Sequence, residues 1–212
     1  PTRRRTRRRC EGTHNPGQLR NVVPFVTVPP QALILAGPAD GDEAQVAKEL
    51  WPNLTVVGLE PNPEAVIWQF AHGWPGEKLI GMALSDRRGV GKFYLHHDPK
   101  SRLRASRLEQ DFGAGSVEVN VTTLDDIVPI CLSGETDLMV WLDIEGHELQ
   151  ALRGGRNLFT SGRVRYVNVE CLDRLWITNE KIDRFLTGYG LKCVHEWNVQ
   201  KGFVRDKFYR RD

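Results

Sequence analysis

The chain of 212 residues has no pair of cysteines placed to act together. Cys10, Cys131, Cys171 and Cys193 stand far apart and form no C-x-x-C. Four scattered thiols neither build a disulfide scaffold nor match zinc-ligand spacing, so reduced thiols in a cytoplasmic setting are expected. No apolar run approaches the roughly 20 residues of a membrane span, and the arginine-rich start lacks the hydrophobic segment of a signal peptide. Net charge is scarce too: the formal value is +2, which excludes a fold that binds polyanions as a whole. The basic residues gather at the ends instead. Six of the first nine residues are arginine in PTRRRTRRR, and the chain closes with KFYRRD. The first run reads as a solvated tail able to meet nucleic-acid phosphates or acidic headgroups.

What is present has a rhythm. Residues 1–31 read as a basic arm without helical period, because Pro24, Pro29 and Pro30 interrupt it. From residue 32 onward, short apolar runs alternate with amphipathic ones. ALILA (32–36), TVVGL (55–59), KLIGMAL (78–84), LMVWL (138–142) and VRYVNVE (164–170) predict buried strands. EAQVAKEL, EAVIWQF, HELQALRGGRNLF and EKIDRFLTGYG predict helices, the third broken at Gly154–Gly155. Residues 85–120 are glycine-rich and basic, with one extra strand expected at KFYLHH. LKCVHEWNV and FVRDKFY, joined by the turn QKG, predict a closing antiparallel hairpin. Strand–helix alternation gives a doubly wound α/β domain over 32–212, with a mostly parallel sheet. Ligands of such sheets bind outside the carboxyl ends of the strands.

The candidate chemistry collects at those ends. After the first strand, Gly37 and Gly41 allow close backbone approach, with Asp40 between them. Glu60, followed by Pro61, ends the second strand about twenty residues on, the placement that accepts hydrogen bonds from two ribose hydroxyls. The turn lacks the third glycine of a dinucleotide fingerprint and carries no phosphate-binding cation. S-adenosylmethionine, which has a ribose but no pyrophosphate, fits better than a nicotinamide cofactor. The fourth strand runs into WLDIEGHE. Asp143 at its tip can orient a polar ligand, and His147 is a candidate base near neutral pH. Glu145 and Glu148 read as first-turn acids that complement a helix dipole. No metal is assigned: Asp143, His147 and Glu170 lack diagnostic ligand spacing, and alternation puts His96 and His97 on opposite faces of a strand. Trp141, Trp176 and Trp197 read as core or pocket wall.

VVGLEPNPEAV, ALSDRRGVGKFYL, VTTLDDI, LDIEGHELQALRGG and VNVE, in that order and spacing, resemble the FkbM-type methyltransferases over about residues 32–209. The resemblance implies a Rossmann-like fold of the class I methyltransferase type. It implies transfer of a methyl group from S-adenosylmethionine to a hydroxyl of a sugar, metabolite or nucleic acid. The cofactor residues it implies are the Gly37–Gly41 turn, Glu60 with Pro61, and Ala83, Leu84 and Asp86 around the adenine, with the acceptor near Asp143 and His147. Two positions depart from the family pattern. Leu35, Gly37, Ala39 and Gly41 stand where Asp-x-Gly-x-Asn-x-Gly is usual, and Trp141 stands where lysine is common. Asp40 is close enough in sequence to replace the missing acid. These departures, with the arginine arm, also suit a second reading: a non-catalytic methyltransferase-fold scaffold or nucleic-acid-binding domain.

Overall fold

The computed structural model describes residues 18–96, 108, 113–172, 176–200 and 204–212. The arginine run, His97 and most of the QKG turn lie outside them, as do the side chains of residues 176, 177 and 198–200. Five parallel strands and a closing pair form one seven-stranded sheet. In chain order the strands are β1 (Ala32–Ala36), β2 (Thr55–Leu59), β3 (Lys78–Ile80), β7 (Leu138–Leu142), β8 (Val164–Leu172), β9 (Leu191–Gln200) and β10 (Val204–Arg211). In space the order is β3-β2-β1-β7-β8-β10-β9, with only β10 and β9 antiparallel to their neighbours. A smaller sheet, order β4-β6-β5, joins β4 (Ala83–Leu84), β5 (Gly89–Tyr94) and β6 (Ser116–Thr122).

The two faces of the large sheet bury different sets of side chains, as strand alternation requires. Ile34, Val140 and Val169 face α4 (Leu124–Cys131), α5 (Glu148–Arg153), α6 (Arg156–Thr160) and α7 (Trp176–Gly188). Leu33, Leu35, Met139, Trp141 and Phe208 face α1 (Gln18–Val22) and α2 (Asp42–Leu50). The remaining helix, α3 (Pro63–His72), follows β2 and starts on an Asn62 cap that accepts from Glu64 N–H.

Three sequence expectations change. Residues 18–31 do contain a helix: α1 is followed by a 3-10 turn at Val23–Phe25, which starts where Pro24 can still sit in a first turn. Five residues cannot hold a helix alone. Packing does so, because Leu19 and Val22 are fully buried, each gaining about 1.5–3 kcal/mol. The following segment is pinned by Tyr166, whose hydroxyl accepts from Val28 N–H at 2.9 Å and donates to Val28 O at 2.9 Å. KLIGMAL is not one strand: it turns at Gly81–Met82, where Met82 N–H reaches Ile80 O at 2.9 Å, and Ala83–Leu84 joins the small sheet instead. The extra strand begins earlier than KFYLHH, at Gly89, and it pairs with β6, a strand not among the expected ones although SVEVNVT alternates.

The two departures from the family pattern turn out to be neighbours. Leu35 and Trp141 are register partners on adjacent parallel strands, each about 1 % exposed. Where the resemblance leads one to expect an acid and a lysine, this chain carries two apolar side chains in contact range on one face. Replacing both members of a buried charge pair together is close to neutral, whereas leaving one charge alone is costly. Restoring one charge by Leu35→Asp should therefore lower unfolding stability by about 3–5 kcal/mol in urea titrations. Leu35→Asp with Trp141→Lys should lose less than the sum of the two single variants, with a coupling of about 0.5–3 kcal/mol. Strict additivity would show that the two positions do not compensate one another.

Candidate functional site

β1 connects onward to β2 on one side, while its other neighbour, β7, leads to β8 on the far side. Connections that diverge in this way leave a crevice at the carboxyl ends of β1 and β7. Gly37 and Asp143 stand there. Gly37 adopts φ +77°, and a Cβ on it would lie 2.0 Å from the Asp143 carbonyl oxygen. No side chain fits between these two strand ends, so glycine is required by space as well as by backbone angle.

A cavity opens at this point. The structure brings Gly37, Glu60, Pro61, Ala83, Leu84, Asp143 and His147 to its wall, together with Phe93, Leu108, Ile144 and Glu145. Asp40, Gly41 and Asp86 are not among the described residues of that wall. Gly41 precedes α2 with φ +78° and sits against Gln69, whose Oε1 a Cβ would meet at 2.5 Å. Asp86 is exposed.

Glu60 is 3 % exposed, and its two carboxylate oxygens are oriented by backbone amides. Oε2 accepts from Ala39 N–H at 3.0 Å, and Oε1 accepts from Asn62 N–H at 2.8 Å. Burial pushes its pKa up to about 7, the two amides pull it down, and Asp143 adds to the rise.

Glu148 is the first-turn acid expected from sequence but is buried, whereas Glu145 is not in the helix. α5 begins at Glu148 with His147 before it, so Glu145 lies in the connecting turn, at φ +63°. Glu148 is 2 % exposed. Its Oε1 accepts from Ile144 N–H at 3.1 Å and Gly146 N–H at 3.0 Å, closing the turn on itself. Burial raises its pKa to about 7 against the lowering effect of those amides. The carboxylate oxygens of Asp143, Glu145 and Glu170 lie within 4.8 Å of one another. Burial and then Asp143 hold the Glu170 carboxyl well above the usual carboxylate range, and its Oε2 is buried without a hydrogen-bond partner. Three carboxylates this close suit a cation, whether a hard metal ion or an organic one. The trio contains Glu145 in place of the His147 weighed from spacing.

His147 has its Nε2 2.9 Å from Ser85 Oγ. Ser85 lies inside the Ala83–Asp86 stretch but was not singled out by sequence. Its placement depends on Gly154, since a Cβ there would fall 2.1 Å from the Ser85 carbonyl oxygen. Ser85 N–H in turn reaches Thr122 O at 2.9 Å, and Asp125 N–H reaches Gly154 O at 3.0 Å. The VTTLDDI and LRGG motifs therefore meet in space to set the residue that touches His147.

Among the described residues no helix is long and apolar enough to cross a membrane.

Removing the acceptor that closes the Ile144–Gly146 turn leaves two N–H groups unmatched. Glu148→Ala should lower stability by about 1–3 kcal/mol, and Glu148→Gln by less, because its amide oxygen still accepts. Equal losses in denaturant titrations would contradict this. The raised pKa values also fix a pH dependence. The folded chain holds these protons more tightly than the unfolded chain, so the stabilisation is complete below about pH 4.5 and is lost as pH rises through about 7. For Glu60 and Glu148 the shift is worth about 3 kcal/mol each. The Glu60→Gln/Glu148→Gln variant should flatten the stability profile between pH 5 and 8.

The family described as Methyltransferase FkbM domain matches residues 36–193. A 2-O-methyltransferase, NoeI of Sinorhizobium fredii (strain NBRC 101917 / NGR234), is 25 % identical over 164 residues, covering 69 % of this chain and 66 % of that protein. The match thus spans just under two thirds of the relative. Among solved structures, a ribosomal protein L11 methylase from Lactobacillus delbrueckii subsp. bulgaricus superposes with TM-score 0.50 at 12 % identity, over 92 % of this chain and 77 % of that one. Aeropyrum pernix fibrillarin with natively bound S-adenosyl-L-methionine gives TM-score 0.50 at 10 % identity, over 85 % and 66 %. At such identities these two likenesses speak for the fold, a class I methyltransferase sheet with reversed closing strands. With the family model matched over residues 36–193, most of this chain, the chain belongs to the FkbM methyltransferases.

Proposed function

We propose that the chain methylates a hydroxyl oxygen, with the crevice between β1 and β7 as the methyl-donor site and His147 as the base. The observation that carries this reading is the place of His147. It stands on the cavity wall with Asp143, and its ring nitrogen is held by Ser85. An alcohol is a poor nucleophile until its proton is taken, and an imidazole within reach supplies that help near neutral pH. The name of the NoeI relative, a 2-O-methyltransferase, points the same way.

The residues present fit the cofactor. Glu60 ends β2 with each oxygen already oriented by one amide, which leaves acceptor capacity for two ribose hydroxyls. Ala83, Leu84 and Phe93 give an apolar wall suited to a purine. Asp143 and Glu145 offer negative charge for a cationic amino-acid end, so Asp143, from the neighbouring strand, takes the part of the acid missing at Leu35. When bound, S-adenosylmethionine supplies an electrophilic methyl group on a positively charged sulfur. The chain's own work is to hold the acceptor in line, remove its proton at the His147 imidazole, and exclude water behind the small sheet.

Calorimetry and a methyl-transfer assay test this together. Glu60→Gln should weaken S-adenosylhomocysteine binding by about 1–3 kcal/mol, the scale of a lost charge-assisted pair. Asp143→Asn and His147→Ala should abolish transfer while the fold persists. Unchanged affinity in Glu60→Gln would remove Glu60 from the site. Full activity in His147→Ala would remove the base.

A further inference from the structure

A second cavity, of about 230 Å³, adjoins the first and shares Leu108 and His147 with it. Its wall is built from the Ser85–Arg88 turn and the start of β5, with Val121 of β6 beside them. The two walls have opposite charge. The first carries Glu60, Asp143 and Glu145 and, among the described residues, no lysine or arginine. Among the described residues the second carries Arg87, Arg88 and Lys92 and no carboxylate, Asp86 not being part of its lining.

These three cations are not equivalent. Arg88 is committed: its guanidinium grips Asp126 through Nε at 2.6 Å and through a second nitrogen. Asp126 is itself fixed by Thr123. Lys92 sits opposite Glu118 across β5 and β6, without an ion pair within 4 Å among the described residues. By alternation it projects from the face opposite Gly91, so it belongs to the rim. Arg87 is exposed at the mouth, with no carboxylate within ion-pair distance among the described residues. A guanidinium in that position is shaped to take an oxyanion through two parallel hydrogen bonds.

We propose that this cavity anchors the methyl acceptor, and that the acceptor is a small molecule bearing an oxyanion, a phosphate, sulfate or carboxylate, close to its reacting hydroxyl. The inference rests on the hydroxyl-methylation reading above and adds the acceptor's chemical class. His147 lies where the cavities meet, so an acceptor held by Arg87 presents its hydroxyl to the imidazole and to the donor side at once. The acidic wall of the donor cavity repels an anion and sets the acceptor's direction. The volume falls below the roughly 300–1,000 Å³ typical of pockets for drug-sized ligands, the scale of a single substituted ring.

The test is titration of the full chain, with and without S-adenosylhomocysteine, by inorganic phosphate, sulfate and acetate in turn, and by a short RNA. At least one of the three small anions should bind, and the strongest names the source of the charge. Affinity should fall roughly tenfold or more in Arg87→Gln/Lys92→Gln, both exposed positions, while S-adenosylhomocysteine affinity stays unchanged. Anion binding that ignores the two substitutions, or absence of binding by all three anions, overturns the proposal. RNA binding that the variant abolishes while no small anion binds also overturns it, in favour of a nucleic-acid acceptor. Failure of S-adenosylhomocysteine to bind would sink the donor-site reading separately, because the anion titration without it still decides the basic cavity.

Discussion

The carboxyl edge of the sheet is crowded with carboxylates, and burial leaves each of them few ways to be stable. A buried carboxylate must keep its proton, accept from N–H groups, or meet a cation. Glu60 and Glu148 accept two amides each and still have pKa values raised to about 7. Asp206, 3 % exposed, is raised by burial and then by Asp143. Glu170 is raised in the same way. An edge so loaded is stabilised by a positively charged ligand and destabilised without one as the pH rises. A methyl donor whose reactive centre is a cation has a physical reason to bind here.

That edge exists because small residues let three separate segments close on it. Gly37 admits the end of β7, Gly154 admits Ser85, and the Gly81–Met82 turn sends Ala83–Leu84 across to a second sheet. The LRGG stretch that carries much of the family resemblance is thus a spacing device. It delivers Ser85 to His147 from a helix end that never reaches the cavity. Leu35 and Trp141, the positions that depart from the family pattern, lie one layer below and pack as an apolar pair.

Much of the fold was legible in the sequence because its signals are local. ALILA, TVVGL and LMVWL are buried over nearly their whole length and read as such. The closing hairpin alternates plainly. The turn at Gly81–Met82 was hidden because KLIGMAL is apolar throughout, and only pairing partners divide it. α1 was hidden because its stability comes from Leu19 and Val22 meeting the sheet, which no five-residue pattern announces. In the site, Glu60 and Asp143 could be placed from strand ends alone. Glu148 could not, since a helix-start glutamate looks the same whether it faces water or folds back on Ile144 and Gly146. Ser85 escaped for a related reason: its contact with His147 crosses 62 positions of sequence.

The claim that carboxylates here await a cationic cofactor is most directly tested by nuclear magnetic resonance of side-chain carboxyl carbons, following Glu60 across pH with and without S-adenosylmethionine. Without the cofactor Glu60 should titrate near pH 7. With S-adenosylmethionine bound its midpoint should fall, and it should fall less with S-adenosylhomocysteine, which lacks the sulfonium charge. A Glu60 carboxyl that titrates in the ordinary range in the free protein, or whose midpoint ignores S-adenosylmethionine, would contradict the account.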